Sequence, residues 1–202
     1  MPSIITHAAV PLALWCAADR GRIPTWLLAA GVVAAMLPDA DVLAFALHIP
    51  YADAFGHRGA SHSLLFACVL AALAALMAFF GSRQPWSAVP CQPRLAPTKA
   101  VPAVASTVQA AAFVFVCAAS HPLLDAMTSG GLGVALAWPW SEHRFFAPWR
   151  PIRVSPFAPQ FFSARGVATL LSELRWVWLP LAAAVVAWKL IQPAPAAPRD
   201  PS

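Results

Sequence analysis

Four short stretches of the chain hold residue types that bind metal ions and move protons. They are Thr6-His7, then Asp39 and Asp41 in LPDAD, then His57, Arg58, His62 and Ser63 in HRGASHS, and last His121, Asp125 and Thr128 in SHPLLDAMT. Neutral imidazole and carboxylate together suit Zn²⁺, with Mn²⁺ or Fe²⁺ as alternatives, whereas oxygen ligands alone suit Mg²⁺ or Ca²⁺. On a helix, His121 and Asp125 are one turn apart and share a face, so they can chelate one ion or bridge two. Asp39 and Asp41 sit beside Pro38 and are expected in an extended or turn segment, where residues two apart point the same way. The candidate ligands are His7, Asp39, Asp41, His57, His62, His121 and Asp125. This set exceeds the three or four protein ligands of one catalytic zinc. A centre of two or more divalent ions is therefore expected, with some of the set in the outer shell.

Proton chemistry falls to the same residues. Asp39 or Asp41, where not fully committed to metal, is the candidate general base. Arg58 can grip a phosphate or carboxylate oxygen with its fork of donors. It reads equally well as a headgroup-level arginine with its stem in apolar surroundings. Taken singly, each residue has a plain structural reading. His7 can be a satisfied interfacial histidine, Asp39 or Asp41 can cap a helix, and His121 and Asp125 can bond each other. Ionisable groups near a membrane core are costly and by default mark function, so convergence of the whole set favours a site. His48 and His143 fit the pattern less well.

The elements that carry these residues are apolar. Of 202 residues, 60% are hydrophobic and only 10% charged, against roughly 45–50% and about 25% in soluble domains. Such a chain has too few charges to cover a water-facing surface, whereas a lipid-facing exterior should be apolar. The net charge of +5 comes largely from arginines between apolar stretches. It points to headgroup-level flanks and away from nucleic acid. Five stretches are marked, Ile4–Ala18, Thr25–Leu37, Ser63–Phe80, Val101–Ala119 and Trp176–Ile191. The expected fold is an all-α polytopic bundle of about four to five transmembrane or re-entrant helices. Thr25–Leu37 reaches only about 20 Å, so it stops short of the far face or thins the bilayer. The apolar run Val42–Ile49 resumes beyond Pro38 as a half-helix or interfacial helix.

In an up-down arrangement, the starts of odd spans and the ends of even spans share one face. His7 starts the first span, Asp39 and Asp41 follow the second, His57 and His62 lead into the third, and His121 and Asp125 close the fourth. All seven candidates therefore gather at one membrane face. One integral-membrane domain over residues 1–191 is expected. It contains a Pro-rich loop at 81–102 and a long aromatic-basic loop at 128–175, and a disordered tail follows at 192–202. Arg144, Arg150 and Arg153, interleaved with Phe145, Phe146, Trp149 and Phe157, read as an interfacial belt or as a lid over the site. Cys16, Cys68, Cys91 and Cys117 lack metal-like spacing and read as small hydrophobes. The start MPSIITH lacks a basic n-region, so the first stretch is expected to be retained. Arginine and lysine counts on the two faces are nearly equal, leaving orientation open.

At Thr6-His7, Leu37-Pro38-Asp39-Ala40-Asp41, His57-Arg58-Gly59-x-x-His62-Ser63 and His121-Pro122-x-x-Asp125 with Thr128 and Gly130, the chain resembles the YdjM-like family. These are bacterial inner-membrane proteins described as membrane-bound metal-dependent hydrolases. The resemblance covers about residues 1–155. It implies a multi-pass protein of the inner membrane with a metal site at the seven candidates. The order of His, Asp, His and HxxxD is also distantly similar to zinc-dependent phospholipase C, which hydrolyses phosphodiesters on an all-α fold. The expected activity is hydrolysis of a phosphoester or lipid-linked substrate, with membrane lipids as surroundings and Arg58 as the anion contact. A metal transporter or a structural metal site is the alternative. No HExxH or GxSxG motif offers another catalytic set.

Overall fold

The structure, a computed structural model, describes residues 1–18, 22–83, 103–156 and 160–192. Most of the expected Pro-rich loop lies outside the described residues, as do Cys91 and the tail beyond Gln192. The described chain is helical, with two isolated bridges, Thr128–Ile152 and Val134–Phe145, as its only β pairings. The helices are α1 (Ile4–Ala17), α2 (Thr25–Ala46), α3 (Leu64–Arg83), α4 (Ala103–Ala126) and α5 (Ala164–Ile191). All but α1 contain a segment long and apolar enough to cross a membrane.

Two boundaries differ from expectation, each for a local reason. The second span does not end at Pro38. After Met36 the chain tightens into a 3₁₀ segment, Leu37–Val42, and runs on as a short α-helix, Leu43–Ala46. Pro38 stands in the first turn of the 3₁₀ segment, where a missing N–H costs little. The resulting 22 residues span about 33 Å, enough to cross. The last span begins at Ala164, inside the stretch expected to be loop. Arg165 and Glu173 interrupt its apolar pattern, yet the backbone is helical throughout, with a π-helical turn at Leu174–Trp178.

Small residues bring the helices together. The core between α2, α3 and α4 is mostly alanine, with Leu27, Phe113, Val114 and Cys117. Gly31 faces α4 so closely that an added Cβ would lie 3.0 Å from the Cys117 sulfur and nearer still to the Phe113 ring. Small residues at such crossings let backbones approach where lipid provides no hydrophobic drive. Val33, Leu73, Met77 and Leu190 point outward, as lipid-facing positions should.

Helix direction follows from a few polar contacts. Gln109 near the start of α4 reaches the Arg22 carbonyl ahead of α2. Lys189 near the end of α5 reaches the Ala18 carbonyl after α1. The starts of α1, α3 and α5 and the ends of α2 and α4 therefore lie together, as the up-down reading requires.

Candidate metal centre

The shared end of the bundle holds a buried polar cluster. His7 comes from the 3₁₀ start of α1, Asp39 from the 3₁₀ segment of α2, and His62 from a 3₁₀ turn leading into α3. His121 and Asp125 lie one turn apart near the end of α4. All five are 0–3% exposed. Asp39, His62, His121 and Asp125 each offer a ligand atom within 4.8 Å of the others, which is a group able to hold a metal ion. His7 Nε2 lies 3.7 Å from both Asp39 Oδ2 and Asp125 Oδ1, and its ring stacks on His121 at 3.7 Å.

The orientation of the imidazoles decides what they can do. His121 Nδ1 donates to the Ala35 carbonyl at 2.7 Å, because a carbonyl can only accept. Nε2 is then the nitrogen that faces inward and can offer a lone pair to a metal. His62 Nδ1 lies 3.1 Å from Asp41 Oδ2, and its Nε2 points at Asp125 Oδ2 at 3.2 Å and Asp39 Oδ1 at 3.9 Å. The two inward nitrogens of His62 and His121 face each other at 2.9 Å. Imidazoles fixed through one nitrogen by a carbonyl or carboxylate, with the other presented to a common point, are the usual arrangement around a metal.

The cluster also shows a deficit that a cation would fill. Both nitrogens of His7 and both carboxylate oxygens of Asp39 are buried without a hydrogen-bond partner, and Asp125 is held through ion pairs to Arg58 and His62. An unsatisfied buried polar atom costs about 1–3 kcal/mol, and four in one place is a large cost for a domain. Without an ion, a proton partly serves. Burial depresses the basicity of His62, but the nearby Asp125 and Asp41 outweigh it and push its pKa up to about 9.

Asp41 and His57, counted among seven possible ligands, stand outside the ligand group. Asp41 accepts from four donors, His57 Nδ1 at 2.5 Å, His62 Nδ1 at 3.1 Å, the Arg58 backbone N–H at 2.9 Å and the Ser61 hydroxyl at 2.9 Å. The reason lies in the backbone. The segment is 3₁₀ and not extended, and at three residues per turn positions two apart diverge. Asp39 faces the centre, and Asp41 faces the loop before α3.

Arg58 is fully buried at a left-handed φ of 63°, a conformation that persists only when its surroundings over-determine it. Here they do. Nε lies 3.1 Å from Asp125 Oδ2, Nη1 donates to the Gly130 carbonyl and Nη2 to the Thr128 hydroxyl. Gly131, at φ 91°, leaves the space that the guanidinium occupies; a Cβ there would stand 2.7 Å from Nη1. The side chain orients Asp125 and ties α4 to the following loop.

Glu173, given no site role by the sequence, and Arg144, read there as belt or lid, complete the cluster. Glu173, 1% exposed inside α5, accepts from the Ser3 N–H at 2.5 Å, the Ser3 hydroxyl at 2.6 Å and the Thr6 hydroxyl at 2.8 Å. Trp178 adds a bond to Thr6 Oγ1. The segment bearing His7 is thus clamped to the last span. Arg144, read as part of an interfacial belt, donates to the carbonyls of Tyr51, Asp53, His57 and Arg58 and so pins the loop beneath the site. A lone glutamate inside an apolar span was a visible sign for the first.

Beside the centre lies an open cavity of about 450 Å³, walled on one side by Tyr51, His57 and Arg58 and on the other by Val154, Gln160 and Arg165.

The family described as "YdjM inner membrane protein" matches residues 1–196. This chain belongs to that family. It is 44% identical over 181 residues to the "Inner membrane protein YbcI" of Escherichia coli (strain K12), covering 89% of this chain and 92% of that protein. No solved structure matches. The match extends past residue 155, where the motif resemblance ended, to take in α5 and its Glu173. This YdjM family member is a multi-pass inner-membrane protein with a buried His/Asp group able to hold a metal.

Proposed function

We propose that this protein is a membrane-bound, metal-dependent hydrolase acting at one membrane face on a phosphoester or lipid-linked substrate. The observation that carries the reading is the buried group of Asp39, His62, His121 and Asp125, with His7 and Asp39 lacking hydrogen-bond partners, one residue away from a cavity whose wall includes Arg58, the ion-pair partner of Asp125. Asp39, His62, His121 and Asp125 would hold the ion, with His7 at its edge; the mixed N/O set suits Zn²⁺, Mn²⁺ or Fe²⁺, and we take Zn²⁺ for the tests. A divalent ion there would polarise a phosphoryl oxygen and lower the pKa of a water to about 7.

The chain's own groups supply the rest. Asp41 accepts from His57 Nδ1, which fixes the tautomer and steadies the ring if it gains a proton, as a carboxylate does for a catalytic histidine. His57 lines the cavity, so we assign it the proton transfer, with Asp41 as its orienting partner. Arg58 keeps Asp125 aimed at the centre. Tyr51, edge-on to His57 at 5.1 Å, walls the cavity.

Metal analysis of detergent-purified protein followed by a phosphodiester and lipid panel tests the proposal. Asp39→Asn and His121→Ala should each lose bound metal and hydrolysis. If both variants keep both properties, the proposal is wrong. The near-complete burial of the ligands also suits a purely structural ion. In that case chelation would lower the melting temperature of a protein that hydrolyses nothing in the panel. Metal uptake into proteoliposomes would instead mark a transporter.

A further inference from the structure

Arg58 lines the cavity, but three of its five guanidinium N–H groups are already engaged with Asp125, Gly130 and Thr128. Across the cavity stands Arg165, on the first turn of α5. A second cavity of about 250 Å³ adjoins the first, sharing Val154 and Arg165, and adds Arg153, Ser129 and Thr169. Among the described residues, neither cavity has a carboxylate in its wall, and the side chains of Arg153 and Arg165 make no ion pair. Two uncompensated guanidinium groups around adjoining concave space repel each other and focus positive potential into it. A bound anion relieves that repulsion. Planar guanidinium forks match carboxylate and phosphate oxygens alike, and the phosphoester reading of the neighbouring centre selects phosphate.

We propose that Arg165 and Arg153 form an anion subsite that seats a phosphate group of the substrate beside the metal centre. Ser129, in the second cavity's wall, adds a hydroxyl of the kind that bonds phosphate oxygens, while Thr169 donates its own to the Arg165 carbonyl and fixes the backbone there. Met1, Val154 and Pro156 give the first cavity an apolar side, suited to the glycerol or acyl part of an amphiphile. The ligand chemistry is therefore a phosphate group, carried by a lipid headgroup or free in solution. The inference rests on the reading of the centre as one that acts on phosphoesters, but it is tested by binding.

The test uses full-length, Zn²⁺-loaded protein in detergent, titrated calorimetrically with inorganic phosphate and with dihexanoyl phosphatidic acid. Arg165→Gln should weaken binding of both about ten-fold or more, the loss of a charged hydrogen-bonding partner. Arg165→Lys should keep part of the affinity. Zinc content and the unfolding midpoint should not move, because Arg165 is exposed. Tighter binding of phosphatidic acid than of phosphate by the wild-type protein identifies a lipid headgroup as the source. Equal binding identifies free phosphate. The subsite is overturned if the wild type binds neither probe, or if Arg165→Gln binds both as the wild type does, which is how phosphate held by the metal alone would behave. Phosphodiester turnover on the same samples keeps the two readings apart. Binding without turnover counts against hydrolysis alone, and turnover with binding indifferent to Arg165 counts against the subsite alone.

Discussion

Substituting Asp41 by asparagine separates a residue that holds ligands from one that is a ligand. The carboxylate accepts from His57, His62, the Arg58 N–H and Ser61. Asparagine keeps one oxygen and replaces the other with an NH₂ group, which can only donate. With the NH₂ turned to His62 that bond is lost. With the oxygen turned there, the negative charge that raises the basicity of His62 is still gone, so His62 is the weaker ligand either way. Loss of an outer-shell partner of this kind costs roughly 10–100-fold in metal affinity, or about 1.4–2.7 kcal/mol. Asp39→Asn removes a candidate ligand whose two oxygens have no other partner, so its loss should exceed that range. Competition titrations of zinc against a chelator on the purified variants measure both. If Asp41→Asn binds zinc as tightly as the wild type, or as weakly as Asp39→Asn, the division between the inner group and Asp41 is refuted.

Three further outcomes follow from the same geometry. Glu173→Ala leaves Ser3 and Thr6 donors buried without their acceptor, at about 1–3 kcal/mol each, and should weaken zinc binding through His7, with Glu173→Gln recovering part of the loss; equal affinities for the wild type and Glu173→Ala would show that the clamp does not position His7. Arg144→Ala frees four carbonyls on the loop bearing His57 and should lower turnover several-fold while zinc content holds, a split checked by metal analysis alongside kinetics. His62, with its pKa raised to about 9, carries a proton at neutral pH when no metal is bound; zinc must displace that proton, so apparent affinity should rise as pH rises, until about 9, and fall as pH falls. Calorimetry in buffers of different ionisation enthalpy should show the released proton at pH 7, and its absence there would contradict this.

Much of the protein was legible from composition and order alone. With so few charges the chain had to face lipid, because apolar surface of that extent is stable only there. Parity then dictated that His7, Asp39, His62, His121 and Asp125 meet at one end, since alternating spans return to the same face. The i, i+4 spacing of His121 and Asp125 already placed them on one side of a helix, where the structure finds them.

The tertiary structure decided which of the gathered residues face inward. Asp39 and Asp41 looked equivalent in sequence. Only the 3₁₀ winding after Met36 turned one to the centre and the other to His57 and His62. Arg58 read from sequence as an anion contact, and packing shows that most of its fork also orients Asp125 and ties Thr128 and Gly130 to the site. Glu173 and Arg144 gained their roles from partners far away in the chain, Ser3 for one and the Tyr51 carbonyl for the other. Composition and periodicity report what each segment prefers, and so they reveal the solvent and the face. Hydrogen bonds between distant segments depend on where the backbone finally runs, and no local pattern encodes that.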